Sequence, residues 1–199
     1  MRDRQPCAWH FPNSSPRWSH DLKAKKWLLL LINLLAGGGV IGSYVWGFLT
    51  HPNAGQALWG GVPDRIRPFY TMGMLLAATG YFAFTYFILF RLDPKETRVF
   101  KRFGFGSFNV LYAVILILSA LWMPLTLFAL EGSDPGFLWA VRIVLAVVGL
   151  ASIGLLFALL NVEPRLPRWA HRLAVAGSVG FCLQTAILDA IVWVAFIKV

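Results

Sequence analysis

Five apolar runs, at about residues 27–49, 69–90, 108–130, 137–161 and 171–197, set the limits on what this chain can become. Each reaches the roughly 20 residues that a helix rising about 1.5 Å per residue needs to cross about 30 Å of hydrocarbon. A membrane barrel would instead show short segments of alternating polarity. The runs therefore predict an all-α fold: a five-helix transmembrane bundle over residues 27–199, preceded by a polar arm over residues 1–26. Composition agrees, with 58% hydrophobic and only 14% charged residues, where soluble domains carry about a quarter charged.

The net charge of +9 is not spread as a nucleic-acid-binding surface would spread it. It sits in clusters between the runs, which is how a bilayer protein carries its orientation signal. The arm holds six Lys/Arg, the 91–107 loop five and the 162–172 loop three, making fourteen on one side. The other side has Arg65, Arg67 and Lys198. The excess predicts a cytoplasmic N-terminus (or matrix or stroma side in an organelle) and an outside C-terminus, in a plasma, inner or organelle inner membrane. The arm, with Pro6, Pro12 and Pro16, is not expected to form a long helix. Lys23, Lys25 and Lys26 beside Trp27 suit a surface anchor as well as a topology signal. The first run is long enough to span and no small-residue cleavage site follows it, so the first helix is expected to be retained.

The 50–68 loop mixes Gly60-Gly61 and three prolines with Leu58, Trp59, Val62 and Ile66. A solvated linker has no use for those apolar side chains. They suit a compact lid on the outer end of the bundle, or a loop dipping Trp59 into the headgroups.

Stepping three and four residues along each run gives its faces. The first carries Asn33, Gly37 and Tyr44 together, with small-residue tracks Gly38-x-x-x-Gly42 and Ser43-x-x-x-Gly47. The second aligns Gly73, Ala77 and Gly80 beside Met74, Ala78, Tyr81 and Thr85; the third aligns Asn109, Tyr112, Ser119 and Met123, with Pro124 placed to kink it. Such tracks let backbones approach closely and let polar side chains satisfy one another, so packing within the chain is their first expectation.

The last two runs each carry one interior charge. Arg142 shares a face with Ala146 and Gly149, and Asp189 with Ser178, Cys182, Thr185 and Ala186. Small or polar faces point to protein rather than lipid. At about 1.5 Å per residue the two charges lie roughly 8 Å and 15 Å below the outer boundary. Neighbouring antiparallel helices would then form an Arg142–Asp189 ion pair, completed by Tyr44, Thr185 or Asn33. An unpaired charge at the bilayer centre costs at least about 2.5–3.5 kcal/mol. The pair is either a structural staple or part of a site.

Other chemistry is missing. No lysine sits deep in a run to hold retinal, and His10, His20, His51 and His171 lie in the arm, in a loop or at a run boundary, where they do not make a bis-histidine haem site within the spans. Cys7, His10 and His20 lack a fourth metal ligand and a recognised spacing. Cys7 and Cys182 make no disulfide framework. No nucleophile elbow, zinc-protease motif or phosphate loop occurs. His51, Asp64 and Asp189 are the acid–base candidates a lipid-modifying enzyme would have to use. No catalytic residue is therefore assigned and no haem, retinal or metal site is evident, which leaves the identity of any cofactor unknown.

In its five runs, nine tryptophans and long first loop the chain resembles the tryptophan-rich sensory/translocator proteins. The resemblance is one of architecture and carries over no residue. Small-residue tracks, the basic arm and the missing catalytic groups lead to a non-catalytic multi-pass protein, a scaffold or accessory subunit. Its expected partners are the lipid bilayer and other membrane subunits or copies of itself, and no nucleic acid. The alternative is a small-molecule or lipid binder, or a carrier, with an outward-facing cavity under the 50–68 loop. Its expected lining is Tyr44, Trp46, Tyr70, Trp122, Arg142, Asp189 and Trp193, since aromatic walls with a few convergent polar groups are the usual makeup of such sites.

Overall fold

A computed structural model describes residues 17–132 and 135–197. Cys7, His10, the three prolines of the arm and Lys198 lie outside the described residues. Five helices are long and apolar enough to cross a membrane, with spans Ala24–Thr50, Arg67–Arg91, Gly106–Glu131, Pro135–Leu160 and Arg168–Phe196. The chain is an α-helical, multi-pass membrane bundle.

Helix α1 runs Arg17–Thr50, a one-turn helix α2 covers Ala54–Ala57, and α3 runs Arg67–Tyr86 with a terminal π turn over Phe87–Arg91. Helix α4 (Gly106–Glu131) continues through Pro124, and α5 is Pro135–Leu160. The last span begins as α6 (Arg168–Cys182), widens into a π-helix over Leu183–Trp193 and closes with α7 (Val194–Phe196). α1 starts upstream of the expected position because Pro16 is the last proline of the arm and nothing after it blocks a helical hydrogen bond.

In space the order is α1, α4, α5, α6, α3, each packed on the next. The α3–α6 crossing is set by glycine. A Cβ on Gly80 would strike the carbonyl of Gly177, and one on Gly177 would strike Gly80, so the two backbones touch. On α1, Gly47 packs against Met123 and Leu127 of α4, whereas Gly37, Gly38 and Gly42 meet nothing within 4 Å. The Gly38–Gly42 track is thus not a packing track within the chain, because α1 turns Gly39, Ser43 and Gly47 along one edge toward α4 instead.

At one end, two basic loops are tied together. Strand β1 (Arg98–Val99) pairs antiparallel with β2 (Val162–Glu163), Arg98 opposite Glu163 and Val99 opposite Val162. Beneath this basic end lies an aromatic core of Phe84, Phe87, Phe105, Phe108 and Tyr112 closed by Leu155 and Leu159, all buried. The other end is covered by the segment between α1 and α3, where Val62 is buried with Tyr70, Val141 and Trp193, and Ala54 is buried with Met123 and Leu127. Large apolar side chains such as Leu34, Ile41, Phe82, Ile143 and Leu150 stand exposed around the middle, the surface a bilayer would cover.

Candidate functional site

All five spans contribute to one cavity of about 350 Å³. Val40 and Tyr44 of α1, Met74, Ala77 and Ala78 of α3, and Val144, Leu145 and Val148 of α5 give it mostly apolar walls. Ser119 and Trp122 come from α4, and Phe181, Gln184, Thr185 and Asp189 from the last span. The position follows from the packing order. α1 leans on α4 and α3 leans on α6, so the space between α1 and α3 is left to side chains, and small residues such as Ala77 and Ala78 do not fill it. Toward the basic end the same space is closed by a hydrogen bond from the Tyr81 hydroxyl to Asn33 Oδ1.

The π segment arranges the polar wall. Its i→i+5 turn brings Gln184 and Asp189 together, and Gln184 Nε2 donates to Asp189 Oδ1 over 2.8 Å. Room for the Gln184 amide comes from Gly73, where a Cβ would collide with Gln184 Oε1. That oxygen is buried without a hydrogen-bond partner. Thr185 donates to Ser152 Oγ at 2.7 Å, and Ser152 donates to the Gly149 carbonyl, which fixes the last span to α5. The Tyr70 hydroxyl donates to the Leu188 carbonyl at 2.6 Å, capping a backbone oxygen within the widened stretch.

Arg142 and Asp189 do not form the expected ion pair. Among the described residues the ion pairs are His51–Glu131 at 3.3 Å and Arg67–Asp64 at 2.7 Å. The Arg142 guanidinium instead lies 5.0 Å from the ring centroid of Trp139, one helical turn earlier, with its Nε buried and unpartnered. The expectation assumed α-helical periodicity through Asp189. The wider π turns rotate the face and give the carboxylate to Gln184, a residue on the same helix. Asn33 and Thr185, expected to complete the pair, bond elsewhere.

Of the other residues expected to line a site, Tyr44 and Trp122 do so, with their rings 5.9 Å apart. Trp193 sits just above, its ring 5.7 Å from Trp122, and its Nε1 donates to the Leu58 carbonyl over 2.9 Å. It fastens the covering segment rather than lining the cavity. Gly60, at a φ of +59° that favours glycine, lets the chain pass closely over the Trp193 ring. Trp59 rests edge-on against Tyr70 beneath the Arg67 guanidinium, and Tyr70 is itself buried. Trp46 faces away, against His51 and Phe128. His51 is committed to Glu131, and so ties the covering segment to the end of α4.

One feature defines the site chemically: the Asp189 carboxylate, at the cavity wall, has no cation within 4 Å among the described residues. Gln184 was missed from sequence, although an amide inside a 27-residue apolar run is itself the signal that could have found it. Ser119, Met74 and Ala78 were placed on packing faces from sequence, but nothing in their identity marks them as lining a cavity. Searches against family models, curated proteins and solved structures found no match for this chain.

Proposed function

We propose that this chain is a non-catalytic multi-pass membrane protein that binds a small, largely apolar molecule in the cavity among its five spans. The observation that carries this reading is a polar group left incomplete in the wall of an otherwise mostly apolar cavity: among the described residues, Asp189 has no cation within 4 Å. Buried polar groups without partners cost about 1–3 kcal/mol each, and a ligand supplying the partners recovers that. A cavity of this size with aromatic walls and few polar groups suits a small organic molecule. The fourteen Lys/Arg at the basic end against three at the other favour that end facing the cytoplasm or an equivalent compartment, with the covered end outside.

The reading is tested by purifying the full chain from its native membrane in mild detergent and extracting it with organic solvent for mass spectrometry. A small molecule in near-stoichiometric amount is expected from the wild type and not from Ala78→Phe, which fills the cavity. Equal recovery from both, or none from either, contradicts it.

A second reading, a scaffold or accessory subunit, is favoured by a different observation. Helix α1 buries little besides Leu29 and Gly47 and leaves Gly37, Gly38 and Gly42 with nothing within 4 Å. A neighbouring helix could approach closely there. Recovery of the chain from mild detergent as a lone monomer would tell against it.

A further inference from the structure

We infer that the molecule held in the cavity is a hydrophobic amine in its protonated form, with its ammonium on the Asp189 carboxylate and its apolar body against Tyr44 and Trp122. The inference rests on the binding reading above and narrows it to one chemical class.

Charge comes first. Asp189 is half-buried at the cavity wall, within a span, and among the described residues no cation stands within 4 Å. The cation expected from sequence to pair with it, Arg142, is engaged with Trp139 and does not line the cavity. A carboxylate at membrane depth is stabilised by a partner of opposite sign, and the described residues do not place one there. An anionic ligand would meet this group with like charge, whereas an ammonium supplies the missing cation and several N–H donors.

Hydrogen-bonding capacity agrees. Gln184 spends an N–H on Asp189 Oδ1, which fixes the carboxylate in place; among the described residues no donor reaches its second oxygen. Tyr44 and Trp122, in contact at 5.9 Å, present aromatic surface beside the carboxylate, and ring faces attract cations most strongly where water is excluded. The rest of the lining, with Val40, Val148 and Leu145, is aliphatic and suits the apolar body of the ligand.

The test uses three probes of one shape: 2-(1-naphthyl)ethylamine, 2-(1-naphthyl)ethanol and 3-(1-naphthyl)propanoate. Each is titrated calorimetrically into the full chain in lipid nanodiscs, with empty nanodiscs as the blank. The amine is expected to bind about tenfold tighter than the alcohol, and the propanoate weakest. Asp189→Asn is expected to remove the amine's advantage over the alcohol, and Asp189→Glu to restore part of it. The wild-type ranking decides the matter even if a variant fails to fold. An alcohol or propanoate that binds as tightly as the amine, and is lost in Ala78→Phe, overturns the amine and leaves the cavity as a site. No binding of any of the three overturns both readings.

Discussion

Gln184 and Asp189 are joined by a 2.8 Å hydrogen bond across a single π turn of the last span. The link shows which side chain holds that carboxylate in place: an amide of the same helix, and not the arginine of the neighbouring one. It also explains why that carboxylate faces a cavity rather than the neighbouring helix that carries Arg142. π turns are uncommon and recur at functional sites, and an eleven-residue stretch of them is a large departure from α-helical packing.

Replacing Gln184 with leucine keeps the volume but removes the amide from Asp189. Leaving that buried acceptor unpaired is expected to cost about 1–3 kcal/mol, read as a lower Tm in detergent and weaker amine binding. An unchanged Tm would mean that the bond contributes nothing to holding the π turn.

Arg142→Met separates the two descriptions of that arginine. A guanidinium resting on a half-exposed ring contributes about 0.5–1 kcal/mol, whereas breaking a buried ion pair costs about 3–5 kcal/mol. The smaller loss is expected, with amine affinity within about twofold of wild type. A loss in the larger range would restore the Arg142–Asp189 pair.

The glycines of α3 and α1 should behave oppositely. Gly80→Ala forces a methyl into the Gly177 backbone and is expected to lower stability by at least about 1–3 kcal/mol. Gly42→Ala, with nothing within 4 Å, should be neutral or raise helix stability by up to about 1 kcal/mol. Thermal unfolding of the two variants side by side checks this; equal losses would mean that α1 is packed against something at Gly42.

Trp193→Phe keeps a ring over Gly60 but removes the hydrogen bond to the Leu58 carbonyl. Loss of about 0.5–1.5 kcal/mol should speed amide exchange over residues 54–66 by roughly 2- to 12-fold, with little change at the basic end. Uniform acceleration throughout the chain would point to general destabilisation instead of a loosened cover.

Much of this was legible in the residues. Every apolar run falls within three residues of a helical span at both ends, because length and hydropathy are what a bilayer demands. Stepping along the runs put Tyr44 and Asp189 on small or polar faces, and both border the cavity, whereas Trp122 was expected there only as an aromatic wall. The partnership of Asp189 was not legible, for a face count at 3.6 residues per turn fails once the helix widens. Nor does any periodicity mark where Ala77 and Ala78 leave space, because a cavity is a property of five helices together. The small track on α1 misled for the same reason: Gly38 and Gly42 read like Gly73 and Gly80, and only packing distinguishes them.

The central claim is that the cavity beside Asp189 is occupied by a small organic molecule when the chain is at work in its membrane. An experimental density map of the chain purified from its native membrane into nanodiscs tests this most directly. The account predicts a discrete non-protein feature within bonding distance of the Asp189 carboxylate, lying against Tyr44 and Trp122 and missing from the Ala78→Phe map. A cavity closed by its own side chains, with Arg142 drawn onto Asp189, would contradict it.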